Sequence, residues 1–217
     1  MKRVRRGGKP AITGLGMALA MALAGCSAPP YTYVANTTAH AYFKVPRGWT
    51  QISTAALVKA ATGGAGGGAW TVGFDASRSP SAQHVLRSVP GQPFAYATVG
   101  PLSPAGTDML SYDALRDLIL PVTDAARQNA AQQGFPLTGF KLLSSRDLML
   151  GQGIHGVAEA YDYTYPGQQV VTFDQVALTN ADDTEVYLLL VHCTARCYSD
   201  HKAQISTVMN SFTVRSP

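Results

Sequence analysis

Charge is scarce in this chain. Asp, Glu, Lys and Arg make up 14% of its 217 residues, against 46% hydrophobic residues. That balance excludes a highly charged disordered chain and leaves apolar material for one globular core. The 21 Gly and 13 Pro fall short of the fraction that marks low-complexity chains. Three cysteines are too few for a disulfide-rich scaffold. No apolar run reaches the roughly 20 residues that a transmembrane helix needs. Gly-x-Ser-x-Gly and His-Glu-x-x-His are both missing, so neither a nucleophile elbow nor a zincin helix is present. There is no internal repeat.

The charge that is present is unevenly placed. The formal net charge is +4, but residues 1–25 hold Lys2, Arg3, Arg5, Arg6 and Lys9 and no acid. From residue 26 onward 12 basic residues face 13 acidic ones, a net of −1. The high isoelectric point therefore gives no bulk electrostatic argument for nucleic acid as a partner. A basic stretch over 1–10, an apolar one over 11–24, and Leu23-Ala24-Gly25-Cys26 directly after it follow the layout of a secretory signal. Leu-Ala-Gly-Cys is similar to the bacterial lipobox, whose Cys thiol receives a diacylglycerol thioether and becomes the new N-terminus. Cys26 is the expected lipidation site. Two or more acyl chains, at about 0.8 kcal/mol per buried CH₂, anchor a protein stably. The expected organisation is a signal peptide over 1–25, lipidated Cys26 and a tether over 26–38, and a single domain over 39–217. The expected location is the extracytoplasmic face of the cell membrane.

Cys193 and Cys197 enclose three residues just after an apolar run. In an oxidising compartment such a pair reads as a disulfide, fixing the corner between a strand and the last helix. A redox dithiol is the rival reading, but such pairs usually enclose two residues and sit in a thioredoxin-like βαβ unit.

Along the mature chain, residues 41–45, 70–75 and 94–99 alternate as strands, and residues 54–61 have weak helical character. Residues 63–68 are almost all glycine and read as a loop. Ser111 is a plausible N-cap for one long amphipathic helix that Pro121 kinks and Gly134 stops. Strand-like stretches at 140–150, 153–165, 169–179 and 184–192, separated by short turns, form an antiparallel meander. Residues 200–212 read as a closing helix with Ile205, Val208, Met209 and Phe212 on one face. The expected class is α+β: one antiparallel sheet of about six strands with helices packed on its faces.

The opening Ala41-Tyr42-Phe43-Lys44-Val45-Pro46-Arg47-Gly48-Trp49 and the closing Ile205, Val208, Ser211-Phe212-Thr213-Val214 resemble the signatures of PsbP/Mog-like domains, across about residues 31–215. A lipobox before such a domain is similar to actinobacterial envelope lipoproteins of the LpqN type. The resemblance implies an αβ sandwich used in assembly, protein binding or the envelope. It carries over no catalytic set, because the matched motifs are packing signatures.

Candidate chemistry is sparse. Residues 64–69 formally match a dinucleotide fingerprint but lie between a helix and a strand, the reverse of the required order. His40, His84, His155, His192 and His201 are scattered singly, and no cofactor or metal set emerges. The most suggestive stretch is Tyr161, Tyr163 and Tyr165, which alternation places on one face with Glu159. These tyrosines and Trp70 are candidate ligand-binding residues, although such a ladder more often packs a sheet. The reading is a non-enzymatic binding or assembly module for a partner protein or an apolar or glycan-bearing ligand. The alternative is a small envelope hydrolase using carboxylates near the tyrosine strand. Two close carboxylates in a cleft, or a Ser–His pair within hydrogen-bond reach, would favour it.

Overall fold

Strand-forming stretches separated by turns dominate the chain, and the computed structural model, which describes residues 29–62, 69–167 and 169–215, shows what they build. The lipobox and the glycine run at 63–68 lie outside the described residues. A three-stranded antiparallel sheet contains β1 (Tyr31–Asn36), β2 (Ala41–Pro46) and the C-terminal β10 (Thr213–Val214), with β2 in the middle. A seven-stranded sheet contains β3 (Thr50–Ile52), β4 (Trp70–Asp75), β5 (Phe94–Pro101), β6 (Thr138–Met149), β7 (His155–Thr164), β8 (Val170–Thr179) and β9 (Glu185–Thr194). Its spatial order is β3-β4-β5-β9-β8-β7-β6, with every pairing antiparallel. The α+β class holds; the expected single sheet of about six strands is one of seven plus one of three.

The first strand lies inside the expected tether. Tyr31 to Asn36 pair with β2 in unbroken register, from Tyr31 opposite Pro46 to Asn36 opposite Ala41. Tyr, Thr and Val favour the pleated surface. The Asn36 side chain accepts from the backbone N–H groups of Thr38 and Ala39, which folds the hairpin. The domain therefore begins before residue 39. Arg47 extends the clamp further upstream: its Nε donates to the Pro29 carbonyl at 2.8 Å and its backbone N–H to the Pro30 carbonyl at 3.0 Å.

The helices are α1 (Thr54–Thr62), α2 (Pro104–Asp108), α3 (Tyr112–Arg116), α4 (Asp124–Gln132), α5 (Ala195–Asp200) and α6 (Lys202–Met209). Ser111 caps α3 as expected, its hydroxyl accepting from Ala114 N–H. The single kinked helix expected over 111–134 is instead two helices. Asp117 accepts from the backbone N–H groups of Val122 and Thr123 and from the Thr123 hydroxyl, at 2.7 to 2.8 Å. Together with Pro121, which has no N–H, this local bonding outcompetes helix continuation, and Thr123 then caps α4.

The large sheet is covered on both faces. Val176 and Leu178 of β8 and Leu189 and Val191 of β9 pack with Phe43, Val45, Phe74, Ile205, Val208 and Phe212, uniting the small sheet and α6. The alternate residues of those strands, with Val157 and Tyr161 of β7, meet Leu115 of α3 and Val122. At one edge β6 lies open to solvent for most of its 12 residues, with register slips after Thr138 and after Leu142.

Gly156 marks the tightest point between β7 and β8. A Cβ there would lie 2.0 Å from the Ala177 carbonyl oxygen. Gly156→Ala is expected to cost at least about 2 kcal/mol, lowering Tm by roughly 4–8 °C. Thermal unfolding checks this, and an unchanged Tm would show that the two strands can separate without loss.

Candidate functional site

Alternation on β7 turns Glu159, Tyr161 and Tyr163 toward the α3/α4 side of the sheet. Tyr161 is wholly buried: its ring stacks on Phe173 at 5.6 Å, and its hydroxyl donates to Gln175 Oε1 at 3.2 Å. It belongs to the core. Tyr163 stands edge-on to Tyr161, and its hydroxyl donates to the Pro121 carbonyl at 2.5 Å. Its other side lines a cavity of about 420 Å³, walled also by Arg127, Phe135, Leu137 and Phe140. The Arg127 guanidinium lies 4.3 Å from the centre of the Phe140 ring, so the cavity joins aromatic faces to one cation. Tyr165, just past the end of β7, is half-buried against Phe173. Trp70 packs on the opposite face of the sheet and lines a separate groove between β1 and β4. Of the four candidate ligand residues, then, only Tyr163 faces this cavity. Arg127, Phe135, Leu137 and Phe140 were not legible as partners in the sequence, because α4, the connection after it and the start of β6 each contribute some of them.

Below the tyrosines lies a buried polar network. The Gln175 amide, fully buried on β8, donates to Glu159 Oε1 at 2.7 Å and to the carbonyls of Leu115 and Arg116 at 3.3 and 3.0 Å. Those carbonyls end α3 and have no helical partner, so one amide satisfies the helix end and docks it on the sheet. Burial raises the Glu159 carboxyl to about 7 despite the nearby Arg116 cation. Of the carboxylates near the tyrosine strand, Asp117 is bonded to residues 122 and 123, whereas Glu159, itself 2% exposed, and Asp174 border one cleft of about 250 Å³ with Arg146 and Tyr198, where Asp174 accepts from the Tyr198 hydroxyl at 2.7 Å.

A Ser–His pair is present elsewhere. Ser88 Oγ and His192 Nδ1 are 2.9 Å apart, and Ser88 lines a hollow of about 540 Å³ with Pro90 and Thr194. His192 is sandwiched between Phe94 and Phe173, with ring centres 5.7 Å apart in each case. Burial lowers its pKa to about 4, and its Nε2 is buried without a hydrogen-bond partner. Asp75, the nearby carboxylate, is bonded to His84 and to the N–H groups of Ser77 and Ser81. A serine base works best with a pKa near the operating pH and a third group to orient it. His192 lacks both as it stands. His155 lies on β7 beside Asp183 and does not meet His192.

Cys193 near the end of β9 and Cys197 in α5 stand at disulfide distance, with Cα atoms 5.9 Å apart. Both are buried, and Thr194 between them caps α5, its hydroxyl accepting from Cys197 N–H. Among the described residues no cluster of His, Cys, Asp and Glu is arranged to hold a metal, and no helix is long and apolar enough to cross a membrane.

The double-sheet αβ sandwich, closed by a helix and a short C-terminal strand, has a PsbP-like fold. The particular likenesses are to solved structures. The solution structure of cyanobacterial PsbP from Synechocystis matches over 88% of this chain and 96% of that one, with a TM-score of 0.56 at 16% identity, which establishes the fold. Weaker likenesses are to a Pseudomonas aeruginosa protein described as a putative regulator (TM-score 0.45, 16% identity, 87% of this chain and 100% of that one) and to the yeast Ran-binding protein Mog1p (TM-score 0.46, 10% identity, 85% and 95%). No protein-family model and no curated protein matches the sequence.

The buried carboxyl gives a signed pH dependence. Because the folded pKa of Glu159 lies above its ordinary 4.5, the associated stability is complete below pH 4.5 and is lost as pH rises through 7. Glu159→Gln mimics the protonated form. It is expected to leave stability nearly unchanged at pH 5 and to raise it by on the order of 1–2 kcal/mol at pH 8.5. Urea unfolding at the two pH values checks this; an equal effect at both would discard the buried-carboxyl explanation.

Proposed function

We propose that this protein is an exported lipoprotein, held at the extracytoplasmic face of the cell membrane by acylated Cys26, whose PsbP-like domain binds an amphiphilic ligand without transforming it. The observation that carries the binding reading is the cavity of about 420 Å³ between α4, β6 and β7. Its volume falls within the usual range for small-molecule sites. Phe135, Leu137 and Phe140 suit an apolar or sugar-ring moiety, and Arg127 suits a polar or anionic head. A partner protein presenting such a group would use the same contacts. The signal and lipobox pattern supports the address. Mass spectrometry of the protein extracted from its own membrane tests both parts. The expected result is a diacylglycerol adduct on Cys26 and a co-purifying amphiphile that is lost in Ala131→Trp, a substitution on the cavity wall. A chain without acyl mass overturns the anchor, and retention of the same ligand in Ala131→Trp overturns the cavity.

Ser88 and His192 support a second reading, an envelope hydrolase with Ser88 as nucleophile. A fluorophosphonate probe at pH 7.5 separates the two. The binding reading expects no labelling of Ser88, given the weak basicity of His192; labelling abolished by His192→Gln would establish the hydrolase.

A further inference from the structure

We propose that the outer face of the three-stranded sheet rests on the bilayer and binds anionic phospholipid headgroups there, an inference that rests on the lipid-anchor reading of Cys26. Residues directly opposite in an antiparallel pair share a face, so Tyr31 with Pro46, Tyr33 with Lys44, and Ala35 with Tyr42 and Thr213 form the side turned away from the core. Phe43, Val45 and Val214 fill the inner side. Tyr33 is 73% exposed. The Lys44 ammonium stands 4.6 Å from the Tyr31 ring centre, and the Arg215 guanidinium 5.2 Å from that of Tyr42. Among the described residues none of Lys44, Arg47 and Arg215 forms an ion pair.

The sign of the charge is one-sided. The first acidic residue in the whole sequence is Asp75, so β1 and β2 contain none, and β10 contains none either. The carboxylate that approaches this region is Glu185, which shares a small hollow with His40 and Arg215 and there accepts from the Tyr187 hydroxyl at 2.6 Å. Tyrosines interleaved with cations, without acids, match the headgroup layer, where aromatic rings sit at the interface and basic side chains meet anionic lipid.

Chain length selects the occupant. The Pro29 carbonyl is bonded to Arg47, so only three Cα–Cα steps, across Ser27 and Ala28, separate a fixed point on the domain from Cys26. Fully extended they span at most about 11 Å. A headgroup layer is itself roughly 5–8 Å deep. An acylated Cys26 therefore brings Pro29, Tyr31 and the Pro46–Gly48 turn to the membrane surface and leaves no room for a protein layer between them.

The test is hydroxyl-radical footprinting of the membrane-extracted protein reconstituted in vesicles of phosphatidylglycerol and phosphatidylcholine, or of phosphatidylcholine alone. Met109 and Met149, which are 77% and 78% exposed, serve as internal controls. Labelling of Tyr33 is expected to fall several-fold on the anionic vesicles, with the methionines unchanged, and to recover in 0.5 M salt or in Lys44→Glu/Arg215→Glu. Equal Tyr33 labelling on both vesicle types overturns the proposal. So does protection that occurs in native membranes but not in protein-free vesicles, which assigns the face to a partner protein. Intact mass reports the anchor separately. If Cys26 carries no lipid, the unacylated protein is floated with the same vesicles: salt-sensitive flotation with the anionic ones keeps the face as a lipid-binding surface, and its absence overturns it.

Discussion

Strands β8 and β9 have almost no wet side, and this one constraint organises the rest of the molecule. From Val171 to Ala177 and from Tyr187 to Thr194 nearly every residue is buried, so a single covering layer would leave half of this apolar surface in water. The small sheet with α5 and α6 supplies one layer; α3 and residues 117–123 supply the other. Burial on both faces also traps polar groups, which must find partners inside. Gln175 meets that demand by bonding the loose carbonyls at the end of α3, so the most deeply buried amide also sets where the helix sits.

Two ionisable groups on the same face of the large sheet are driven to neutrality from opposite directions. Desolvation raises Glu159 to about 7 and lowers His192 to about 4. Between those values neither need carry charge. Perturbed titration is often a sign of catalysis. Here both shifts arise from burial: Glu159 is bonded to the Gln175 amide, and His192 is stacked between two phenylalanines.

What could be read from the sequence was local. The meander declared itself through alternation and through Pro166-Gly167 and the 180–183 turn; Ser111 announced a helix start; Ile205, Val208, Met209 and Phe212 gave the buried stripe of the closing helix. The break in the long helix was harder to see, because it depends on one Asp117 carboxylate reaching the N–H groups of residues five and six positions on. β1 was hidden because its pairing needs β2 and the Arg47 grip on Pro29. Ser88 and His192 are 104 residues apart and meet only through the sheet. The cavity escaped for the same reason: Tyr163 was legible as a candidate, but Arg127 and Phe140 become its neighbours only when α4 is laid against β6 and β7.

The two register slips in β6 bear on how copies of this molecule behave side by side. An open edge of 12 residues is long enough to template a neighbour's strand. After Thr138 and again after Leu142 the ladder loses step, and Lys141, Arg146 and Asp147 add charges along it. A second strand approaching this edge meets N–H and C=O rows that do not run in phase. At high concentration these domains are thus protected against polymerising into a continuous sheet, by irregularity in the strand itself rather than by a covering element.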